Sequence, residues 1–360
     1  MKIIIRNCNV AELDIPLKYA MKLYNEFAIR HPNAFYLRTR QRGMQNWDGK
    51  IKYITKTGQF KIGLLPSVYK RCIELGIKPI IVDMRQPLPK VSKVVTQIGK
   101  YKLRPEQEKA VKAILSNKLG ETPFQIGVLD YTVNAGKTLI MSALYLSYKK
   151  QLKTLLITND SDWLNQARDE FKQYLPGEDI TFVQGKVLNW SNFTIGMVQS
   201  ISRNMKYYQN ELAKIDMVLI DEADQGGSKQ YQNVITRLFN TRVRIGLSGT
   251  IYMSKLAKDK VKNMNLRCFF GDVIAEFKLK DSIKKGYSTK TIVKTVEGKP
   301  WFGNWESDCM SYNEIYDDSI THNKIAWTMA LDRLKWNLNQ GRYPALVVCK
   351  HIAHLSLIHI

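Results

Sequence analysis

The residues Asp130-Tyr131-Thr132-Val133-Asn134-Ala135-Gly136-Lys137-Thr138 end in a Gly-Lys-Thr whose surroundings suit a phosphate chain. An apolar run of strand length, 124–129, precedes them, and 139–146 follows with apolar residues at helical spacing. In a strand–turn–helix of this kind, backbone amides of the turn and helix start point at the anion. Thr132, Asn134, Ala135 and Gly136 would form that cradle. Lys137 would neutralise the β- and γ-phosphates, and the Thr138 hydroxyl would ligate Mg²⁺. The first glycine of the usual pattern falls on Tyr131, and Asn134 stands where another glycine is common. Asn tolerates positive φ, so the loop can still turn.

A chance Gly-Lys-Thr on a solvated turn would need no companions, and this one has two. The stretch Ile215-Asp216-Met217-Val218-Leu219-Ile220-Asp221-Glu222-Ala223-Asp224 is an apolar strand ending in acids. Asp221 at its tip would hold Mg²⁺ through water, and Glu222 would orient and deprotonate an attacking water. Alone, it could be an acidic turn after a buried strand. Ile245-Gly246-Leu247-Ser248-Gly249-Thr250 is a third strand with small hydroxyl residues at its tip.

Three strand tips with phosphate, metal and hydroxyl chemistry, in this order, resemble superfamily 2 helicases and translocases. There they are the Walker A, Walker B and coupling motifs, and the resemblance gives Asp224, Ser248 and Thr250 the coupling role. It also implies that Gln107, with Arg104 beside it, reads the adenine edge. Gln166 and Gln199 then match the motifs that touch the nucleic-acid backbone.

These groups need a scaffold that gathers strand ends. Strands at 124–129, 154–158, 193–198, 216–220 and 243–247 alternate with helices, including one over 163–174. That is the rhythm of a parallel sheet with its ligand at the strands' C-terminal ends.

The chain's 360 residues allow two or three domains. It holds no apolar run of about 18 residues, so no membrane span is expected. The N-terminal stretch turns polar too soon for a signal peptide. Cys8, Cys72, Cys268, Cys309 and Cys349 lie scattered, which reads as reduced thiols in a cytoplasmic protein. His351 and His354 read as a polar strand end rather than metal ligands.

Net charge is +23, and residues 1–100 alone carry 19 Lys and Arg against 6 Asp and Glu. Such a concentration fits a phosphate-rich partner, although solubility alone would also favour it. This part reads as a helix over 15–30, an extended segment over 35–42, and a hairpin-type turn at 46–50. Strands at 51–56 and 60–65 follow, then a short helix opened by Pro66 and stopped by Gly76. Arg38, Arg40 and Arg42 would share one strand face. Lys50, Lys52, Lys56 and Lys61 lie near Tyr36, Trp47, Tyr53 and Phe60, a mixture suited to backbone contact plus base stacking. The competing reading is a solvated face over core aromatics.

The turn Asn46-Trp47-Asp48-Gly49-Lys50-Ile51 in a basic domain, followed by Gly63-Leu64-Leu65-Pro66 and the motor motifs, resembles the UvsW-type phage helicases of recombination and repair. The resemblance implies an α/β chain. A RecA-like parallel-sheet motor lobe (91–275) is preceded by a small basic α+β DNA-binding domain (1–90) and followed by an incomplete second RecA-like lobe (276–360). It implies ATP and Mg²⁺ as cofactors, branched DNA as partner alongside unidentified replication or recombination proteins, and the host cytoplasm as location.

The second-lobe motifs that would carry the arginine finger do not appear. Residues 355–360 also match the in-frame translation of a common sequencing-library transposon end. A truncated reading frame with native sequence to about His354 is therefore expected, binding nucleotide without useful turnover. Three other readings compete. Asp221–Asp224 spells the signature of DEAD-box RNA helicases, but Asn159-Asp160-Ser161-Asp162-Trp163-Leu164 stands where those proteins carry Pro-Thr-Arg-Glu-Leu-Ala. A packaging terminase would need a nuclease domain with clustered acids. A DNA-binding protein with a non-cycling motor would not need Lys137, Thr138, Asp221 and Glu222 intact.

Overall fold

A computed structural model describes residues 1–40, 43–159, 161–184, 190–252, 257–290, 314 and 323–341. Two compact units result, Met1–Thr289 and Lys290–Ile360.

The first unit begins with β1 (Lys2–Ile5) and β2 (Val10–Asp14), then α1 (Leu17–Glu26), β3 (Ala28–Arg30) and α2 (Ala34–Arg40). β4 (Lys50–Lys52), β5 (Gln59–Lys61), α3 (Leu65–Glu74) and β6 (Ile80–Asp83) complete the N-terminal part. Its main sheet runs β5-β2-β1-β6, with β6 parallel to β1 and the other pairs antiparallel.

Three sequence expectations change here. The helix expected over 15–30 stops at Glu26, because Ala28–Arg30 pairs with Lys50–Lys52 and long-range pairing overrides the local helical spacing. The 51–56 and 60–65 hairpin shrinks to one bridge, Ile54 to Phe60, since β4 takes β3 as partner and β5 takes β2. Arg38 and Arg40 lie on a helix, not a strand. Ala34, Leu37, Arg38 and Arg40 are good helix formers. Two residues apart on a helix is about 200°, so the two arginines do not share a face. Arg42 lies outside the described residues.

The large-sheet lobe follows. Two short ladders, β7 (Gln97–Ile98) with β8 (Tyr101–Lys102) and β9 (Lys118–Leu119) with β10 (Thr122–Pro123), bracket α4 (Pro105–Leu115). Then come β11 (Ile126–Tyr131), α5 (Lys137–Ser147), β12 (Thr154–Thr158), α6 (Ser161–Tyr174), β13 (Ile180–Val183), β14 (Phe193–Met197), α7 (Val198–Arg203) and α8 (Met205–Leu212). β15 (Met217–Asp221), α9 (Lys229–Ile235), β16 (Val243–Ser248), α10 (Ala257–Phe270), β17 (Val273–Phe277) and α11 (Leu279–Lys284) end the unit.

The seven strands β13-β14-β12-β15-β16-β11-β17 form one parallel sheet, the RecA-like lobe. β11, β12, β15 and β16 are buried throughout, as their nearly continuous apolar runs require in a sheet covered on both faces. One core packs the N-terminal part against one face of this sheet, and a second core fills the other.

Gly63, from the Gly-Leu-Leu-Pro stretch, meets α10 so closely that a Cβ would lie 2.1 Å from the Arg267 carbonyl oxygen. That glycine is a packing contact between the two parts. Cys8, Cys72 and Cys268 are buried free thiols. Of the second unit, only α12 (Lys324–Asn339) is a described element. Residues 291–313, 315–322 and 342–360, with both histidines, lie outside the described residues. No helix among the described residues is long and apolar enough to cross a membrane.

Candidate functional site

Strand order brings the three motifs together. β15, β16 and β11 are neighbours, with Asp221 opposite Leu247 and Asp130 opposite Ser248. Their C-terminal tips therefore present the acids, the hydroxyls and the glycine loop side by side.

The loop turns through left-handed backbone at Asn134 (φ 63°) and Gly136 (φ 71°), and α5 starts at Lys137. Asn134 thus does what a glycine would do there. A Cβ on Gly136 would also sit 2.3 Å from Gln107 Nε2. The loop is tied from behind. Gln107 Nε2 donates to the Ala135 carbonyl at 2.9 Å, Arg104 Nη2 to the Asn134 carbonyl at 3.0 Å, and the Thr132 N–H to Phe277 at 3.0 Å. Gln107 Oε1 accepts the Arg104 N–H at 2.8 Å, so both ends of its amide are engaged. Tyr131, at the position of the missing first glycine, is fully buried, and its hydroxyl donates to the Glu106 carbonyl at 2.8 Å.

A cleft of about 440 Å³ opens over this loop, lined by Asn134 through Leu139, by Asp221 and Glu222, and by Trp163, Gln166, Glu170 and Tyr174 of α6. Its size suits a nucleotide-like ligand. Lys137 Nζ lies 3.8 Å from Asp221 Oδ1 and 4.0 Å from Glu222 Oε1. It is the one cation among the described lining residues. Arg104 and Gln107 do not line the cleft; they stand behind it.

Burial raises the pKa of Asp221, and Lys137 opposes the rise without cancelling it. Burial raises Glu222 as well, Lys137 again opposes, and Asp221 and Asp224 add to the rise. Asp221 Oδ1 is buried without a hydrogen-bond partner. An orphaned carboxylate oxygen beside a lysine and a loop threonine is a donor set that fits Mg²⁺ held jointly with phosphate oxygens. Glu222 is left-handed (φ 49°), a conformation uncommon for glutamate, and half exposed over the cleft.

Three residues expected from the sequence to couple also meet. Ser248 Oγ donates to Asp224 Oδ1 at 3.0 Å and accepts the Thr250 N–H at 3.2 Å. Gln199 Nε2 donates to the Asn159 carbonyl at 3.1 Å, and Asn159 Nδ2 reaches Gln225 just beyond the acidic motif. Gln166, on the cleft wall, donates to Glu170 at 2.9 Å.

The N-terminal residues expected to contact DNA lie elsewhere. On α2, Phe35 is 81% and Tyr36 55% exposed; Arg38 is exposed, and Arg40 stacks 5.0 Å over the Tyr36 ring. Trp47 Nε1 donates to the Lys50 carbonyl at 3.0 Å. Lys52 pairs with Asp48 at 3.3 Å and lies 4.6 Å over Tyr24, so it is already engaged, whereas Lys50 is exposed.

Sequence reasoning missed the α6 wall residues Trp163, Glu170 and Tyr174. Their i−3, i+4 and i+8 relations to Gln166 on one helix could have revealed them. It also missed Tyr231, whose buried hydroxyl near Asp221 and Asp224 has its pKa raised, first by burial and then by those acids.

A family model described as the type III restriction enzyme res subunit matches residues 100–253. The chain is 23% identical over 338 residues to the ATP-dependent DNA helicase uvsW of Enterobacteria phage T4, covering 86% of this chain and 62% of that one. It is 26% identical over 147 residues to a putative ATP-dependent RNA helicase of Acanthamoeba polyphaga mimivirus, 41% of this chain and 27% of the relative. Both shares of the curated relatives are below two thirds. A crystal structure of the bacteriophage T4 UvsW helicase superposes with TM-score 0.59 and 21% identity, covering 76% of this chain and all of that one. A second T4 UvsW structure gives 0.57 at 20% identity, covering 76% and 57%. In motif order, fold and sequence the chain is similar to the UvsW-type proteins of helicase superfamily 2.

Proposed function

We propose that the protein is an ATP- and Mg²⁺-dependent DNA helicase or translocase acting on branched DNA in phage recombination, repair or replication, within the host cytoplasm. The observation that carries the nucleotide half is the meeting of Lys137, Thr138, Asp221 and Glu222 at one cleft, with Asp221 Oδ1 left without a partner. Residues 91–275 act as motor lobe, 1–90 as DNA-binding domain, and the sequence from 276 as the start of a second lobe.

Bound Mg²⁺ would neutralise phosphate charge, held by Thr138 and Asp221. Lys137 binds the phosphates, and the amides from Asn134 to Thr138 orient them. Glu222 takes the proton of the attacking water, and its raised pKa moves it toward an effective base. Arg104 and Gln107 hold the loop in its binding shape. Asp224 and Ser248, joined across β15 and β16, carry the loop's state to the neighbouring strand tips. With Lys137 the lone cation of the described cleft, the transition-state charge needs a second cation. Loss of such arginines costs about 10³–10⁵ in rate in nucleotide hydrolases. The 360-residue chain is therefore expected to bind nucleotide without vigorous turnover.

DNA is preferred over RNA on one ground. The relative described as a DNA helicase aligns along 86% of the chain, whereas the one described as an RNA helicase matches 147 residues, 41% of it. Competition of fork DNA, linear duplex and RNA for the labelled protein tests this. Fork DNA should win, and equal competition by RNA would reverse the choice.

A further inference from the structure

The seam between the N-terminal part and the large sheet holds more positive charge than its carboxylates balance. It lies where β15 and β16 begin, a strand length of about 15–20 Å from the tips that carry the nucleotide cleft. Arg85 gives Nε and Nη2 to Asp83, each at 2.8 Å. Arg242 Nη1 lies 3.3 Å from Oδ2 of the same carboxylate. Both guanidiniums are inside, with side chains 2% and 8% exposed. Arg244, on β16, is fully buried and bonded only to neutral acceptors: the carbonyls of Phe269 and Cys8, and Asn9 Oδ1. Arg85 Nη1 and Arg242 Nε, both buried, have no acceptor. Burying such donors unpaired is costly and leaves the two guanidiniums with charge that an anion beside them would offset.

Beside this pair opens a cavity of about 550 Å³, lined by Arg85 and Arg242 and flanked by Arg6 and Lys214. Asp216 is an acid on its wall, and its Oδ2 is held by the Lys153 N–H at 3.0 Å. We propose that this cavity is an oxyanion site for a free phosphate-type anion, such as inorganic phosphate or pyrophosphate. Guanidinium forks match phosphate oxygens in geometry and charge. The cavity is walled by 86–89 and takes a small anion rather than a duplex. Because Arg6 and Arg85 come from the N-terminal part and Lys214 and Arg242 from the lobe, an anion there bolts the two together.

The test is thermal unfolding of the 360-residue Lys137→Ala protein, so that Lys137 cannot contribute, in sodium pyrophosphate against sodium chloride at equal ionic strength. Pyrophosphate is expected to raise the midpoint by about 3 °C or more beyond chloride. Arg242→Gln should abolish that increment. Should Arg242→Gln fail to fold, the rim pair Arg6→Gln with Lys214→Gln, whose side chains are at least half exposed, should raise the half-saturating pyrophosphate concentration several-fold. An increment no larger than chloride's, or one that the rim pair leaves unchanged, overturns the site. A single-stranded oligonucleotide arm separates the sources. An Arg242-dependent shift with oligonucleotide but none with pyrophosphate overturns the free-anion assignment in favour of a nucleic-acid backbone.

Discussion

Gln107 and Ala135 are joined by a hydrogen bond of 2.9 Å from the side-chain amide to the loop carbonyl, and this contact places Gln107 behind the phosphate loop rather than over the cleft. Its remaining oxygen caps its own helix at the Arg104 N–H. A residue so engaged shapes the loop. Gln107→Ala should therefore weaken ATP and GTP to a similar degree, by about 5–10-fold, as expected for one lost buried hydrogen bond. Parallel titrations with the two nucleotides check this. A loss confined to ATP would show that Gln107 reads the adenine.

Asp221 gives a pH signature. Burial raises its pKa above the ordinary 3.8, so the folded state holds the proton more tightly than the unfolded chain. The nucleotide-free protein should lose stability as pH rises from 3.8 to the raised value, and then level off. Asp221→Asn removes that cost, so it should raise the apo midpoint at neutral pH while abolishing Mg²⁺-dependent stabilisation. Thermal scans across pH, with and without Mg²⁺ and nucleotide, read both effects. A lowered apo midpoint would mean that Lys137 more than compensates for burial.

Arg244 should be a structural residue. Its guanidinium satisfies the carbonyls of Cys8 and Phe269 and the Asn9 side chain inside the seam. Arg244→Met leaves all three bare and should cost about 2–4 kcal/mol in urea unfolding. A change under about 0.5 kcal/mol would show that water replaces the guanidinium.

Legibility in the sequence followed burial. The central strands were readable because a parallel sheet covered on both faces needs continuous apolar runs, as in Met217–Ile220 and Thr154–Thr158. Edge strands β13 and β17 escaped notice; β17, Val-Ile-Ala-Glu-Phe, is only partly buried and looks like a connection. The N-terminal part was least legible. Its strands are three to five residues long, and β3 and β4 depend on a partner some twenty residues away. Site residues at strand tips could be read from residue type alone. The α6 wall could not, because Trp163 and Tyr174 carry no phosphate chemistry of their own.

The exposed Phe35, Tyr36, Arg38 and Arg40 on α2 should contact nucleic acid through phosphate and stacking, without sequence preference. Arg38→Ala with Arg40→Ala should lower the slope of log affinity against log salt by about 2. Lys52→Ala should change it little, because Asp48 and Tyr24 already hold that lysine. Fluorescence anisotropy over a salt series measures both. An unchanged slope in the arginine pair would remove α2 from the interface.

The most direct measurement is a titration of the 360-residue chain with ATP and Mg²⁺, comparing the unaltered protein with Lys137→Ala and Glu222→Gln. Lys137 is the described cleft's sole cation, so its loss should weaken binding by about 10–100-fold. Glu222→Gln keeps the shape and removes only the base, so it should bind as the unaltered protein does. That pattern is what a phosphate-binding lysine and a separate catalytic carboxylate require; unchanged binding in Lys137→Ala, or equal loss in both variants, would contradict it.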